Sequence, residues 1–405
     1  MIELREALQI VLDSARPLGS ERVDLAGAIG RVLAEDVASD MDMPPFDKAT
    51  MDGFACRRAD LGNELAIVET IPAGATPTET IGPNQCAGIM TGAAVPPGAD
   101  CVVMVEQAQV IGGNVVRLTD TQTPDHISRK GREIRCGQVV LRKGTCIRPQ
   151  HIAVLASVGC VRPFVAVRPK VAVVAGGNEL VAPAARPGPS QIRNSNSVQL
   201  IAQLQAMGIA ARDYGVMKDT VVNVDRVLRT ALAMDDVVLI SGGVSVGDFD
   251  LVPGVLRRNK VRLLFDKVAV QPGKPTIFGV AESGSGSPTQ RIALGGPWCF
   301  GLPGNPVSTF VTFELLVKPF LYRLMGCEYS PRCIQMRLEE PVGRKNTDRQ
   351  SWIPVRITGA EAVRPVEYHG SAHILALCEA DGLIALEIGV ANLPQGTPVQ
   401  VRLLG

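Results

Sequence analysis

The chain has 405 residues, above the roughly 250–300 at which a single hydrophobic core stops growing, so two to four domains are expected. Apolar residues make up 46% and charged residues 20%, with a mean hydropathy of +0.17, which excludes a disordered chain. Forty-one basic against forty acidic residues leave a net charge of +1, without the basic excess that general nucleic-acid binding requires.

From the N-terminus, Leu4, Ala7, Leu8, Val11 and Leu12 recur at helical spacing until Pro17-Leu18-Gly19 stops them. Glu3, Arg5 and Asp13 interrupt this stretch, unlike the apolar block of a secretory signal. Leu25, Ile29, Val32 and Leu33 predict a second short helix. From Met43 to about Val140, short apolar runs alternate with Gly/Pro turns (64–71, 85–90, 101–106 and 114–118), the pattern of a small β-rich domain. Between Gly137 and Pro169 a strand, a glycine turn and a helix closed by Gly159 follow. This stretch is expected to return onto the N-terminal helices and make that domain discontinuous. The apolar run Ile152–Val161 is too short to span a bilayer.

Residues 170–326 alternate strands and helices. Buried runs at 170–175, 236–241, 276–280 and 298–302 are interleaved with helical patterns at 196–207, through Ala233, at 250–259 and from Pro306 to Met325. A further extended run covers 261–270, and the whole predicts a doubly wound α/β domain. Asp219 is placed to cap the helix through Ala233, and residues 282–289 read as a flexible hairpin loop. After Gly326, short runs at 334–338, 352–357, 362–365, 382–386 and 398–403 predict a compact β domain. The expected division is 1–42 plus 137–168, 43–136, 169–328 and 329–405. The ten cysteines form no CxxC pair, so they read as reduced, mostly packed thiols of a cytoplasmic protein.

In open α/β sheets ligands bind where strands end. Three glycine-rich segments fall there: Gly176-Gly177-Asn178-Glu179, the run Ser241–Asp250 with Gly242, Gly243, Ser245 and Gly247, and Pro303-Gly304-Asn305-Pro306. Any one of them alone reads more readily as a tight βα turn, whereas three on one sheet edge suit an anion cradle at helix N-termini. None is a Walker A or GxGxxG motif. Glu179, Asp219, Asp248 and Asp250 lie beside the loops, as carboxylates do when Mg2+ bridges them to phosphate. Asp219 and Asp248 fit a cap and a turn equally well. Lys267 and Lys274, in FDKVAVQPGKP, offer positive charge at the same edge. A proline-stiffened run, Pro44 to Gly53 with Asp47 and Asp52, and Met90-Thr91-Gly92-Ala93 form a second candidate cluster. His369 and His373 are four apart, but Gly370-Ser371 argues against a helix presenting them to a metal.

Taken together, PPFDKATMDGFA, IMTGAAVPPGADCVVMVE, the NSN segment ending at Asn196, SGGVSVGDFD, QPGKP, GLPGNPVS and the stretch from Gly370 resemble one family over essentially the whole chain. That family is the molybdopterin molybdenumtransferases, the MoeA-like proteins and the gephyrin E domain. The resemblance implies an α/β multidomain fold: a central doubly wound molybdopterin-binding α/β domain, small β-rich domains and an elongated N-terminal domain. It implies a homodimer whose active site lies between the α/β domain of one subunit and the small β domain of the other. The implied reaction is Mg2+-dependent insertion of molybdate into adenylylated molybdopterin with release of AMP. Implied partners are a molybdopterin adenylyltransferase and downstream cofactor-maturation proteins, with neither nucleic acid nor membrane.

Carried onto this sequence, Asp47, Glu179, Asp250, Lys267 and Lys274 look catalytic, and Glu179, Asp219 and Asp250 look like Mg2+ ligands. Thr91, Gly242, Gly243, Ser245, Gly247, Pro303, Gly304, Asn305, Pro306 and Ser371 look like substrate contacts. Several positions depart from the family pattern. Asn178 stands where an acid is usual, Gly131-Arg132-Glu133 replaces Gly-Glu-Asp, Gln271 replaces a lysine and Ala372 a glycine. These changes leave a second reading open, a catalytically impaired paralogue that carries molybdopterin or acts as a scaffold.

Overall fold

The computed structural model describes residues 1–119, 122–243, 251–282 and 297–404. The first helix, α1 (Leu4–Ser14), buries Ala7 and Val11. The second predicted helix is shorter than its apolar spacing suggests, covering only Leu25–Ala28 with Asp24 accepting from the Gly27 amide. Gly30, at φ +69°, turns the chain out of the helix, and Val32 and Leu33 go instead into bridges with Cys146 and Val165. Apolar spacing alone cannot separate these outcomes, because tertiary pairing decided the register.

Six strands follow: β1 (Gly53–Cys56), β2 (Glu64–Ile71), β3 (Gln85–Ile89), β4 (Cys101–Met104), β5 (Ala108–Ile111) and β6 (Val115–Leu118). They form a sheet of order β4-β1-β3-β2-β6-β5 with a core on each face. The chain then returns through Val139–Leu141, which pairs with Val37–Ala38, and α2 (Pro149–Ser157), after which Gly159 adopts φ +75°. One hydrophobic cluster joins Ala28, Leu33 and Val37 to Ile147, Leu155 and Val165.

The α/β region contains β7 (Val171–Gly176), α3 (Asn196–Ala206), β8 (Ala211–Met217), α4 (Val221–Met234), β9 (Val237–Ser241), α5 (Leu251–Arg258), β10 (Val261–Phe265), β11 (Ile277–Ala281), β12 (Trp298–Leu302) and α6 (Pro306–Thr312). The sheet order is β8-β7-β9-β12-β11-β10. The first four strands are parallel, and β11 and β10 run antiparallel at the far edge. Alternating side chains cover both faces. Val171 and Val173 enter one core with the aromatic group Phe278, Trp298, Phe300 and Phe320, and Ala172 and Val174 enter the other. In that group Phe278 and Phe300 lie 4.7 Å apart between ring centroids, and Trp298 meets Phe320 edge-on at 5.5 Å.

The helix opened by Pro306 runs to Leu324 as expected, but through a π-helical stretch at Phe313–Val317. There the largely buried Glu314 carboxylate accepts from Gln203 (3.0 Å) and Lys318 (2.9 Å), which satisfies a charge that burial would otherwise penalise. The extended run at 261–270 is broken in the structure. Val261–Phe265 stays in the α/β sheet, while Val270–Gln271 pairs with the next sheet. The predicted hairpin loop lies, apart from Glu282, outside the described residues.

The C-terminal strands are β13 (Cys333–Leu338), β14 (Gln350–Ile357), β15 (Ala362–Pro365), β16 (Gly382–Leu386) and β17 (Pro398–Leu403). They run in the order β14-β15-β13-β17-β16, and β16 pairs back on β14, closing a small barrel that leaves an edge of β14 at Gln350–Ser351. Val270–Gln271 extends β14, so the segment leading to Lys274 is tied to this barrel. All ten cysteines are free, with only Cys136, Cys333 and Cys378 exposed. Among the described residues, no helix is long and apolar enough to cross a membrane.

Candidate functional site

Chain direction across the sheet creates the site. From β7 the chain crosses through α3 to β8 on one side, then through α4 to β9 on the other side of β7. The order reverses between β7 and β9, and a crevice opens beyond their carboxyl ends. Three loops meet there at backbone distance. Gly242 donates to the Leu302 carbonyl at 3.1 Å and holds φ +87°, where a Cβ would lie 2.4 Å from the Gly176 oxygen. A Cβ on Gly304 would sit 3.6 Å from the Gly242 Cα. Glycine at 242 is therefore required both by conformation and by space.

These loops bound a cavity of about 630 Å³. Of the residues singled out from sequence, Glu179, Asp219, Gly242, Gly243, Pro303, Gly304, Asn305 and Pro306 line it. The N-terminal turn of α3 lines it too, through Asn194, Ser195 and Asn196, which the sequence reading did not select as site residues. Their NSN run, just ahead of a helix-periodic stretch, was the available signal. Asn194 accepts from the Ser197 amide (3.2 Å) and donates to its hydroxyl (3.0 Å). Asn196 Nδ2 donates to Ser241 Oγ and to the Gly304 carbonyl, both at 2.7 Å. Leu180, Ile192, Pro275 and Ile374 give the cavity an apolar wall.

The carboxylates differ in how they are held. Glu179 is exposed, and a Cβ at Gly177 would lie 2.6 Å from both its oxygens, so the group lies over the glycine turn. Among the described residues it has neither a side-chain hydrogen bond nor an ion pair. Asp219 and Asn178 pair reciprocally at 3.1 Å, each side-chain oxygen accepting the other's backbone N–H. Asp219 is thus not the cap of α4. Thr220 caps that helix, its Oγ1 accepting from the Asn223 amide. Ser245, Gly247, Asp248 and Asp250 lie outside the described residues.

Oxygen donors of this kind suit Mg2+, which takes one or two carboxylates and completes its shell with water and ligand phosphates. No three His, Cys, Asp or Glu groups gather among the described residues, so no protein-only metal cage is present there. The two cavity carboxylates fit an ion brought in with a phosphorylated ligand.

Lys274 is exposed at the cavity edge, immediately before the lining residue Pro275. Its carbonyl accepts from Val268 and Thr276, and the neighbouring Gly273 packs so close to α6 that a Cβ would lie 2.7 Å from Thr312 Oγ1. Lys267 is half-buried, its carbonyl accepting from Ile2, and is not among the lining residues. Ser371 reaches the site from the C-terminal region: its hydroxyl accepts from Asn305 at 2.8 Å and its carbonyl from Val307 at 3.0 Å. His369 and His373 stack on one another at 4.9 Å between ring centroids, in a non-helical turn as expected.

Asp47 and Thr91 do not reach the cavity of their own chain. Asp47 accepts from the Lys130 amide (2.8 Å) and from Arg129 (2.7 Å), and these two donors hold its carboxyl below the usual carboxylate range. The Thr91 amide donates to Asp52 at 2.6 Å and lowers that carboxyl likewise.

Known proteins match the chain end to end. Three families match successive segments: the MoeA N-terminal region (domain I and II) over residues 2–159, the "Probable molybdopterin binding domain" over 172–323, and the MoeA C-terminal region (domain IV) over 337–404. A molybdopterin molybdenumtransferase of Staphylococcus epidermidis is 34% identical, the alignment covering 99% of this chain and 95% of that one. One from Staphylococcus aureus is also 34% identical over the same shares. The crystal structure of a molybdopterin biosynthesis MoeA protein from Pyrococcus horikoshii superposes with a TM-score of 0.82 at 31% identity, covering 100% of this chain and 99% of that one. With the switch-point cavity and all three regions in order, the chain belongs to the MoeA family of molybdopterin molybdenumtransferases and is a transferase of molybdenum cofactor biosynthesis.

Proposed function

We propose that the cavity binds adenylylated molybdopterin and that molybdate is inserted into its dithiolene with release of AMP, in a Mg2+-dependent reaction. The observation that carries this reading is the meeting of three strand-end glycine loops with Glu179 and Asp219 around one cavity. Backbone at such loops approaches phosphate without side-chain hindrance, and the α3 N-terminus adds a favourable dipole. Gly242, Gly243, Gly304 and Asn305, with Pro303 and Pro306 shaping the turn, then hold the phosphates; Ser245 and Gly247 are assigned as further substrate contacts on the family resemblance alone. The apolar wall of Leu180, Ile192 and Ile374 suits the flat pterin.

Glu179, Asp219 and Asp250 would hold Mg2+, which when bound neutralises phosphate charge and polarises the phosphoryl oxygens. Lys274 and Lys267 supply positive charge to the molybdate and phosphate oxyanions. Ser371 fixes the Asn305 amide and orients that wall. The near-zero net charge is consistent with this arrangement, since local loops and the ion meet the anion in place of global basicity.

We further propose the division 1–42 plus 137–168, 43–136, 169–328 and 329–405, with a homodimer placing Asp47 and Thr91 of one subunit over the cavity of the other. Their location in loops of the N-terminal β region, outside the lining of their own chain's cavity, supports this arrangement. Cytoplasmic location and exchange with a molybdopterin adenylyltransferase and with cofactor-maturation proteins follow from the same reading.

The test is AMP release from adenylylated molybdopterin, with and without molybdate and Mg2+. The expected result is stoichiometric AMP with formation of active cofactor, dependent on both additions. Tight binding of the nucleotide substrate without AMP release would replace the transferase reading with the carrier one.

A further inference from the structure

Asn196 is the residue that joins the walls of the cavity. It opens α3, and its amide nitrogen reaches two separate loops at once: Ser241 Oγ at the end of β9, and the Gly304 carbonyl beyond β12, each at 2.7 Å. The Gly304 carbonyl can only accept, so it fixes which way the amide points. The other half of the amide is left without a partner among the described residues: Oδ1 is buried and makes no hydrogen bond to any of them. A residue retained only to fill space would avoid burying a bare carbonyl oxygen. The amide is therefore suited to its NH2 group and to what that group holds.

What it holds is the spacing of the phosphate cradle. Ser241 Oγ also contacts the Pro303 carbonyl at 3.4 Å, and Thr309 Oγ1 donates to the same carbonyl and to that of Asn305 (3.1 Å). Gln199, one turn along α3, reaches the Pro306 carbonyl at 3.5 Å. Asn196 thus sits at the junction of α3, the Gly242-Gly243 loop and the Gly304-Asn305 loop. We propose that Asn196 is a positioning residue for the transferase reaction, setting the separation of these two loops and thereby the affinity for the phosphorylated substrate. This proposal rests on the reading of the cavity given above.

The experiment uses the full-length chain and steady-state AMP release with adenylylated molybdopterin, molybdate and Mg2+, alongside thermal melting. In Asn196→Ala the KM for adenylylated molybdopterin is expected to rise about tenfold or more, with kcat changing less than about threefold. Asn196→Asp keeps the shape but exchanges the donor for an acceptor and an anion. Its KM is expected to rise at least as much, with the melting temperature near that of the unaltered chain. Ser241→Ala removes one of the two acceptors and should raise KM about threefold, and the double variant Asn196→Ala/Ser241→Ala should not exceed Asn196→Ala alone.

An unchanged KM in Asn196→Asp, or fold-changes that simply multiply in the double variant, would overturn the proposal. Should Asn196→Ala fail to fold, the Asp and Ser241 variants still decide the matter. The unaltered chain separates the two layers of inference: if it neither binds the substrate nor releases AMP, the reading of the cavity fails; if it does both and the variants match it, only the role of Asn196 fails.

Discussion

At the strand ends, Glu179 lies over Gly177 with its carboxylate unclaimed by any described residue, and the Asp219 carboxylate accepts, among the described residues, only the Asn178 backbone amide. In the N-terminal sheet region Asp47 is gripped by the Lys130 amide and the Arg129 guanidinium, and Asp52 by the Thr91 amide. Both regions carry acids on loops, yet one leaves oxygen lone pairs open and the other spends them internally. An open carboxylate beside a cradle is available to a cation or ligand, whereas a clamped one fixes the shape of the loop that bears it. The family departure at Asn178 belongs to the first case. As an amide it still accepts from the Asp219 N–H, but it does so without placing a second negative charge against that carboxylate.

The largest expected effect comes from closing the open carboxylate. Glu179→Gln should lower turnover by about 10²- to 10³-fold, the scale seen when one preorganised charge-stabilising group is lost, and leave the melting temperature unchanged because the side chain is exposed. Single-turnover AMP release with parallel melting curves checks this, and near-normal turnover would place the chemistry elsewhere. Gly242→Ala attacks the cradle itself. A Cβ 2.4 Å from the Gly176 oxygen, at φ +87°, should cost about 2–4 kcal/mol of stability, read by urea unfolding.

The smallest effect is at the clamp. Asp47→Asn should lose less than about 1 kcal/mol, since the carboxylate is 38% exposed and solvent screens the pair. Its sign with pH is fixed. The folded carboxyl sits below its unfolded value near 3.8, so its contribution is present above that value and fades as pH falls through the lower folded one. The gap between the two chains, followed by urea unfolding, should be full near neutrality and close as the pH falls below the unfolded value; a gap that widened on acidification would mean that the clamp is not the source.

How much of this was legible in the chain depends on the distance over which each feature is decided. The runs 170–175 and 236–241 read as buried parallel strands, and the strands form at 171–176 and 237–241, because 171–175 and 237–240 are apolar throughout and both faces are covered. Gly159 reads as a helix end, and it takes positive φ after α2. The segment Leu25–Leu33 misled, since its spacing suits a helix while its last residues find strand partners more than a hundred positions away. Asp219 misled for a similar reason: next to Thr220 either residue can cap, and the partner that claimed Asp219 was Asn178, on a different loop. The strand at 270–271 left the α/β sheet because β14 offered it an edge, which local composition does not encode.

By itself the sequence determined which stretches are strand, helix or turn wherever apolar period and Gly/Pro punctuation agree, and it placed glycine at the ends of three strands. Those are local preferences, written within a few residues of where they act. Only the tertiary structure decided that the three loops meet at one switch point, that Gly242 lies against Gly176, that Asn196 bridges two of the loops, and that Asp47 does not line its own chain's cavity. Those outcomes depend on the order in which strands pair across the sheet, and the contacts that fix that order join residues tens of positions apart.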